Sequence, residues 1–138
     1  MINNIRFTTD LPDRDQYVPL FLSTGWNDDY RFTDDRIFES IQHSWYCLSA
    51  YDDSELVGFG RIISDGVLHA LIVDLIITPA YKGRGVGSEL LRRLIEQCRT
   101  HGIPDIQLFC ATGQTGFYLK HGFKARPDNA PGMQIPLR

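Results

Sequence analysis

One segment constrains this chain more than any other. Residues 71–95 read LIVDLIITPAYKGRGVGSELLRRLI: an apolar run, a glycine-dense turn, then an amphipathic stretch. Leu71, Ile72, Val73, Leu75, Ile76 and Ile77 are strand chemistry that stops at Thr78-Pro79, and Gly83, Gly85 and Gly87 follow at alternate positions. Val86, Leu90, Leu91, Leu94, Ile95 and Cys98 then recur at helical spacing. A strand feeding a glycine turn and an open helix N-terminus builds a phosphate cradle. First-turn amides have no intrahelical partner, and the macrodipole adds partial positive charge there. Glycine suits the turn because a Cβ would hold an anion away from the backbone. The segment predicts a phosphorylated ligand.

The rest of the chain bounds what surrounds that cradle. With 138 residues it has room for one domain, expected to span residues 1–138. No apolar run reaches the ~18 residues that cross a bilayer, and Met1-Ile2-Asn3-Asn4 does not open a signal peptide. The expectation is a cytoplasmic protein with no membrane partner. Cys47, Cys98 and Cys110 form no Cys-x-x-Cys pair, which points to reduced thiols and no structural metal. A net charge of -3 argues against nucleic acid as a partner. Asp10, Asp13, Asp15, Asp28, Asp29, Asp34, Asp35, Asp52 and Asp53 crowd the first 53 residues. They read either as helix caps and solvated loops or as a rim that draws in a cationic amine.

The periodicities order the elements. Residues 2–8 form a strand, and Asp10-Leu11-Pro12 opens a helix to about Ser23 that Pro19 kinks or delays. Gly25-Trp26-Asn27-Asp28 breaks it, and a second helix follows Thr33. Strands are expected at 45–51, 55–64 and 67–78, with turns at Asp52-Asp53-Ser54 and Asp65-Gly66. The long helix runs to about His101-Gly102, a strand covers 106–110, and a helix covers 114–121. Strands at 123–126 and 133–137 close the chain. The order β-α-α-β-β-β-α-β-α-β-β is α+β with a mixed sheet.

Two common glycine loops fail against the turn. A Walker loop needs Gly-Lys-Ser/Thr after four intervening residues, yet Gly87 precedes Ser88 and Lys82 lies before the glycines. A dinucleotide fingerprint begun at Gly83 or Gly85 wants its last glycine where Ser88 or Leu90 stands. Lys82-Gly83-Arg84-Gly85-Val86-Gly87 instead resembles the acyl-CoA loop of the GNAT N-acetyltransferase superfamily, Arg/Gln-x-x-Gly-x-Gly/Ala, with Lys82 at the Arg/Gln position. Asp74-Leu75-Ile76-Ile77-Thr78-Pro79 resembles the family's strand and following proline. Residues 117–123, Phe-Tyr-Leu-Lys-His-Gly-Phe, are similar to its Phe-Tyr-x-x-x-Gly-Phe segment. Ala130-Pro131-Gly132-Met133 resembles the ending of a small subgroup that includes arylalkylamine-type acetyltransferases.

The resemblance implies a mostly antiparallel twisted sheet flanked by helices, with acetyl-CoA as co-substrate and an amine as acceptor. The strand before the loop would splay from its neighbour, so that the pantetheine arm pairs with backbone at Leu75, Ile76 and Ile77. Arg84, Gly85, Val86, Gly87 and Ser88 would give amides to the pyrophosphate, with Gly83 shaping the turn and Lys82 keeping positive charge. Tyr118 takes the place of the tyrosine that faces the CoA sulfur and donates to the departing thiolate. For a base, the sequence offers Asp74, a lone carboxylate in an apolar strand that needs a partner, a cation or a substrate. His69 and His121 are weaker candidates, and Leu71 stands where the family often has a glutamate. Cys110 is the one thiol to consider for a covalent route. Trp26, Tyr30, Phe32 and Trp45 are candidates for an aromatic acceptor wall or for core, Trp26 and Tyr30 foremost. A small-molecule amine is favoured over a protein lysine, and homodimers are common among the proteins it resembles. A non-catalytic acyl-CoA sensor is the alternative on the same fold.

Overall fold

The structure, a computed structural model, describes residues 2–137. The chain runs β1 (Ile5–Thr8), α1 (Arg14–Leu22), α2 (Asn27–Tyr30), α3 (Asp34–Ile41), β2 (Tyr46–Asp52), β3 (Glu55–Ser64) and β4 (His69–Ile77). A 3-10 turn at Pro79–Tyr81 leads to α4 (Val86–Thr100), β5 (Asp105–Leu108) and α5 (Thr115–Lys120). The five strands lie in the order β1-β2-β3-β4-β5. The first four pair antiparallel, and β5 joins β4 in parallel because α4 carries the chain back across the sheet.

Local chemistry explains most boundaries. α1 starts only at Arg14, where Asp13 is extended and its carbonyl takes the amides of Gln16 and Tyr17. Pro19 sits inside α1 without ending it, at the cost of one backbone bond. Thr33 caps α3 through the Arg36 amide, and Asp34 and Asp35 occupy its first turn. The 65–68 connection is a longer loop than an Asp-Gly hairpin, because Asp65 Oδ1 accepts from the amides of Val67, Leu68 and His69. Asp53 turns the β2–β3 hairpin with a left-handed φ of 52°.

Each sheet face has its own core. Leu48, Val57, Ile62 and Ile72 pack under Val86, Leu90, Leu91 and Leu94 of α4. On the other face Phe59, Tyr51 and Ile76 meet Tyr17 and Phe21 of α1 and Ile37 and Ile41 of α3. α4 seats closely because β3 offers glycines beneath it. A Cβ at Gly60 would lie 2.8 Å from Leu94 Cδ1, and one at Gly58 would lie 3.0 Å from Leu90 Cδ1.

The mixed α+β sheet matches the expected class, and three further details differ. A short α2 forms where only a break was expected, because the Asn27 side chain brackets the backbone of Phe32 and closes the turn. β5 begins at Asp105 and ends at Leu108, earlier than the expected 106–110. Residues 123–126 and 133–137 form no strands; the sheet stops at β5. Their alternating pattern is compatible with a strand, but a strand exists only where a neighbour supplies its ladder bonds, and here the last segment runs free of β5.

Candidate active site

The site is built where β4 and β5 part company. Their parallel pairing covers only His69↔Asp105, Ala70↔Ile106, Leu71↔Gln107 and Ile72↔Leu108. Beyond Ile72, β4 continues to Ile77 held only by β3, so its other edge presents backbone groups with no strand beside them. The parting coincides with a β-bulge. Phe59 faces Ile76 but Arg61 faces Val73, so β4 carries one extra residue opposite Gly60. Asp74 sits in that bulge with a left-handed φ of 54°. Its Oδ2 accepts from Arg61 Nε at 2.7 Å, with the two side chains only 17% and 11% exposed. This is a satisfied ion pair between adjacent strands that fixes the bulge.

Below the opening the chain turns into α4. Gly83 and Gly85 have φ of 75° and 89°, a backbone state that side chains disfavour. Gly85 is the α4 N-cap without any side-chain cap, so the first-turn amides at Val86, Gly87 and Ser88 have no acceptor inside the helix. Lys82, Gly83, Arg84 and Gly85 are exposed around this opening, and Val86 is buried. Two contacts brace the turn. The Arg84 guanidinium lies 4.6 Å over the Tyr81 ring, and the Tyr81 hydroxyl donates to Asp52 at the end of β2. Tyr81 was not singled out from the sequence, and Asp52 entered it only as a turn residue and one of the crowded aspartates, since 29 positions separate the two and only the fold joins them.

α5 closes the same end. Phe117 reaches Gly87, where a Cβ would come within 3.7 Å of its ring, and His121 Nε2 lies 3.1 Å from Ser88 Oγ. Tyr118 is half-buried between Phe117 and Phe123, with ring centroids 5.1 Å and 6.0 Å away. Burial pushes its phenol above the ordinary value, and the neighbouring Cys110 pushes the same way. Tyr118 is therefore a proton donor at neutral pH. Cys110 is exposed beside it, whereas Cys47 and Cys98 are buried.

The other candidates separate in space. Leu75 and Ile77 turn toward Gly60 and Gly58 on the α4 side, and Ile76 is buried on the α1 side. Their side chains are core, which leaves only their backbone for a ligand. Trp26 packs edge-on against Phe21 at 5.9 Å, and Tyr30 stacks on the same ring at 6.5 Å with almost half its surface exposed. Trp45 does not join them; it packs on His101 and over Gly66 at the far end of the sheet. His69 is equally remote, paired with Asp105 at the start of β4. Arg61 was overlooked, although a lone cation in apolar β3 beside a lone anion in apolar β4 was a readable signal.

The unpaired edge of β4 and an uncapped glycine turn suit an extended arm ending in phosphates, which is how a coenzyme A ester is built. A profile described as the Acetyltransferase (GNAT) family matches residues 12–123. The chain belongs to the GNAT acetyltransferase family. GNAT relatives include GCN5-related N-acetyltransferase 1, chloroplastic, of Arabidopsis thaliana, 32% identical over 131 residues that cover 94% of this chain and 65% of that protein. Another is Serotonin N-acetyltransferase 2, chloroplastic, of Oryza sativa subsp. japonica, 32% identical over 107 residues, covering 75% of this chain and 54% of that one. The chain thus spans less than two thirds of the length of these curated GNAT relatives. A probable acetyltransferase of Staphylococcus aureus shares the GNAT fold with a TM-score of 0.82 and 22% identity, covering 96% of this chain and 98% of that one.

Proposed function

We propose that the protein moves an acetyl group from acetyl-CoA to the nitrogen of an amine, by direct attack within a ternary complex. The observation that carries this reading is the parting of β4 from β5 above an uncapped glycine turn. When bound, acetyl-CoA supplies an activated acyl thioester. The backbone at Leu75, Ile76 and Ile77 pairs with the pantetheine amides. The turn from Lys82 through Gly83 and the amides of Arg84, Gly85, Val86, Gly87 and Ser88 hold the pyrophosphate. Each charge-assisted bond contributes about 1.5–3 kcal/mol, enough together for micromolar binding after ordering costs.

Tyr118 donates its proton toward sulfur as negative charge develops there. An ordinary phenol and thiol already differ by about 1.5 pKa units, roughly 2 kcal/mol uphill, and burial of Tyr118 widens the gap. Donation therefore accompanies C–S cleavage, and the N–H proton released as the attacking nitrogen becomes an amide returns to Tyr118 directly or through solvent, so no free phenolate is left. On the acceptor side, deprotonating an ordinary amine at neutral pH costs roughly 4–5 kcal/mol. Asp74 is committed to Arg61, so its contribution to the chemistry is to hold the bulge that parts the strands, and the site takes the amine in its neutral form. Trp26 and Tyr30, gathered around Phe21, form the aromatic side of the acceptor region. An aryl- or alkylamine fits that wall better than a protein lysine, and one relative's name includes serotonin.

The tied carboxylate also favours a second reading, an acyl-CoA sensor that binds without turnover. Incubation with acetyl-CoA and a panel of aryl-, poly- and amino-acid amines, read by release of free thiol, separates the two. Amine-dependent thiol release with an N-acetyl product by mass is expected. Thermal stabilisation by acetyl-CoA with no thiol release from any amine would leave the sensor, and stabilisation by ATP or NAD in preference would remove both.

A further inference from the structure

Tyr118 sits on an element that the fold holds lightly. α5 has no buried residue; Phe117 and Tyr118 are half-buried, and the other residues of 111–120 are exposed. A helix of 6 residues does not stand by itself, so its position is set by what it touches. Glycines bracket it. Gly113 and Gly122 have φ of 81° and 91°, and neither has an atom within 4 Å of where a Cβ would stand. Side chains therefore decide where the segment between them rests.

Two of those side chains reach the same place, the first turn of α4. The Phe117 ring lies over Gly87, where a Cβ would stand 3.7 Å from its Cζ. At the end of α5, His121 brings Nε2 to 3.1 Å from Ser88 Oγ and packs on Phe117 with ring centroids 4.9 Å apart. Among the described residues this is the one hydrogen bond that joins residues 111–123 to the rest of the chain. His121 follows Tyr118 by three positions, its amide donates to the Tyr118 carbonyl at 3.0 Å, and both side chains line the groove beside β5. One short path, Ser88 to His121 to Tyr118, thus links the glycine turn to the phenol.

The chemistry of the bond gives that path a direction. Ser88 carries one hydroxyl proton, and a neutral imidazole carries one N–H. If the hydroxyl donates to Nε2, its oxygen turns lone pairs toward an arriving phosphate, which can only accept. With the proton on Nε2, the imidazole donates to Oγ and the hydroxyl proton is released toward the anion. A phosphate at the turn favours the second arrangement and strengthens the Ser88–His121 bond by polarising it.

We propose that His121 is a positioning residue: through Ser88 it transmits occupancy of the glycine turn to α5, so that the phosphates of the donor seat Tyr118 at the thioester. The inference rests on the acyl-CoA reading of the site. It gives the remote end of acetyl-CoA a share in kcat as well as in binding, because contacts far from the reacting bond then place the proton donor.

The test compares acetyl-CoA with S-acetylpantetheine, which has the same thioester and no pyrophosphate, on the full chain. Amide hydrogen exchange of residues 115–121 is followed with CoA and with pantetheine, and kcat is measured for both acetyl donors with the amine that turns over best. CoA should protect residues 115–121 where pantetheine does not, and kcat should be roughly tenfold or more higher with acetyl-CoA. His121→Ala and Ser88→Ala should each remove the protection and level the two kcat values, while calorimetry still shows CoA bound. His121→Gln, whose side-chain amide offers Oγ a donor, should restore most of both. Where no amine turns over, the exchange experiment decides alone. Protection or donor preference that persists in His121→Ala overturns the proposal. So does an equal loss of kcat on both donors, or a His121→Gln no better than His121→Ala. CoA that binds without protecting residues 115–121 overturns this proposal alone; CoA that does not bind in calorimetry overturns the acyl-CoA reading and this proposal with it.

Discussion

Tyr118 is held as a neutral donor by its surroundings, and that sets what its removal should do. Its phenol is raised by burial first and by Cys110 second, so it stays protonated at neutral pH. Tyr118→Phe keeps the ring packing with Phe117 and Phe123 and removes only the proton. A loss of roughly 10²-fold or more in kcat is expected, with acetyl-CoA affinity nearly unchanged in a binding assay. Equal turnover at every pH would remove Tyr118 from the chemistry. Asp74 makes the contrasting case. Breaking a pair this buried leaves an uncompensated charge, so Arg61→Met should cost about 3 kcal/mol by chemical denaturation. Asp74→Asn should lower stability and raise KM for acetyl-CoA while the shape of the pH–kcat profile persists. A profile that loses its acid limb would instead make Asp74 the base. A lone Asp in an apolar strand is a readable anomaly, but its cause lies thirteen residues away at Arg61, and only the register of β3 and β4 brings the two together.

At the scale of elements, the strand–turn–helix unit was legible because its information is local. β3 falls on residues 55–64 and α4 on residues 86–100, where the apolar periods placed them, and Gly83 and Gly85 stand where the backbone needs positive φ. What was not legible depends on partners. The parting of β4 and β5 is a property of two strands, and strands at 123–126 and 133–137 need an edge that pattern cannot supply. The tight seat of α4 on Gly58 and Gly60 was equally silent, since a glycine in a strand does not name what approaches it. Two substitutions separate these roles. Gly85→Val puts a branched side chain at a φ of 89° and about 3.4 Å from Ile2, so the turn must rearrange. It should cost about 1–2 kcal/mol of stability and abolish acetyl-CoA binding in calorimetry. Gly60→Ala, far from the turn, should destabilise by about 1–3 kcal/mol because Leu94 is buried and cannot move aside. Its affinity for acetyl-CoA should stay near normal in the folded fraction; binding lost in Gly60→Ala but retained in Gly85→Val would reverse the assignment.

For the whole molecule, the charges set a pH window for stability. Arg92 and then Arg93 hold the Glu89 carboxyl at about 2, and both bond it from the next turn of α4. Backbone amides of the 65–68 loop lower Asp65, and Gln107 and His69 lower Asp105. A carboxylate lowered in the folded state contributes stability above its unfolded pKa of about 4 and loses it as pH falls toward the folded value. The buried phenols act at the other end. Desolvation raises Tyr17, Tyr46, Tyr51 and Tyr118, so the unfolded chain releases those protons first and stability falls as pH rises past about 10. The acidic first third of the sequence hides this pattern, because most of its aspartates are caps and turn residues, and the groups that matter are chosen by packing. Urea denaturation should therefore show a plateau between about pH 5 and 9, with a decline on both sides. Glu89→Gln should lower the plateau by about 1 kcal/mol, a partly screened surface-type pair, and flatten the decline between pH 4 and 2. An acid limb that keeps its slope in Glu89→Gln would assign that loss to the other carboxylates. Because Glu89 sits in the first turn of α4, the same variant also tests charge at the proposed site. Arg92 and Arg93 already neutralise the carboxylate, so removing it should leave two uncompensated cations near the α4 N-terminus and tighten acetyl-CoA binding at low salt, with the gain vanishing at high salt.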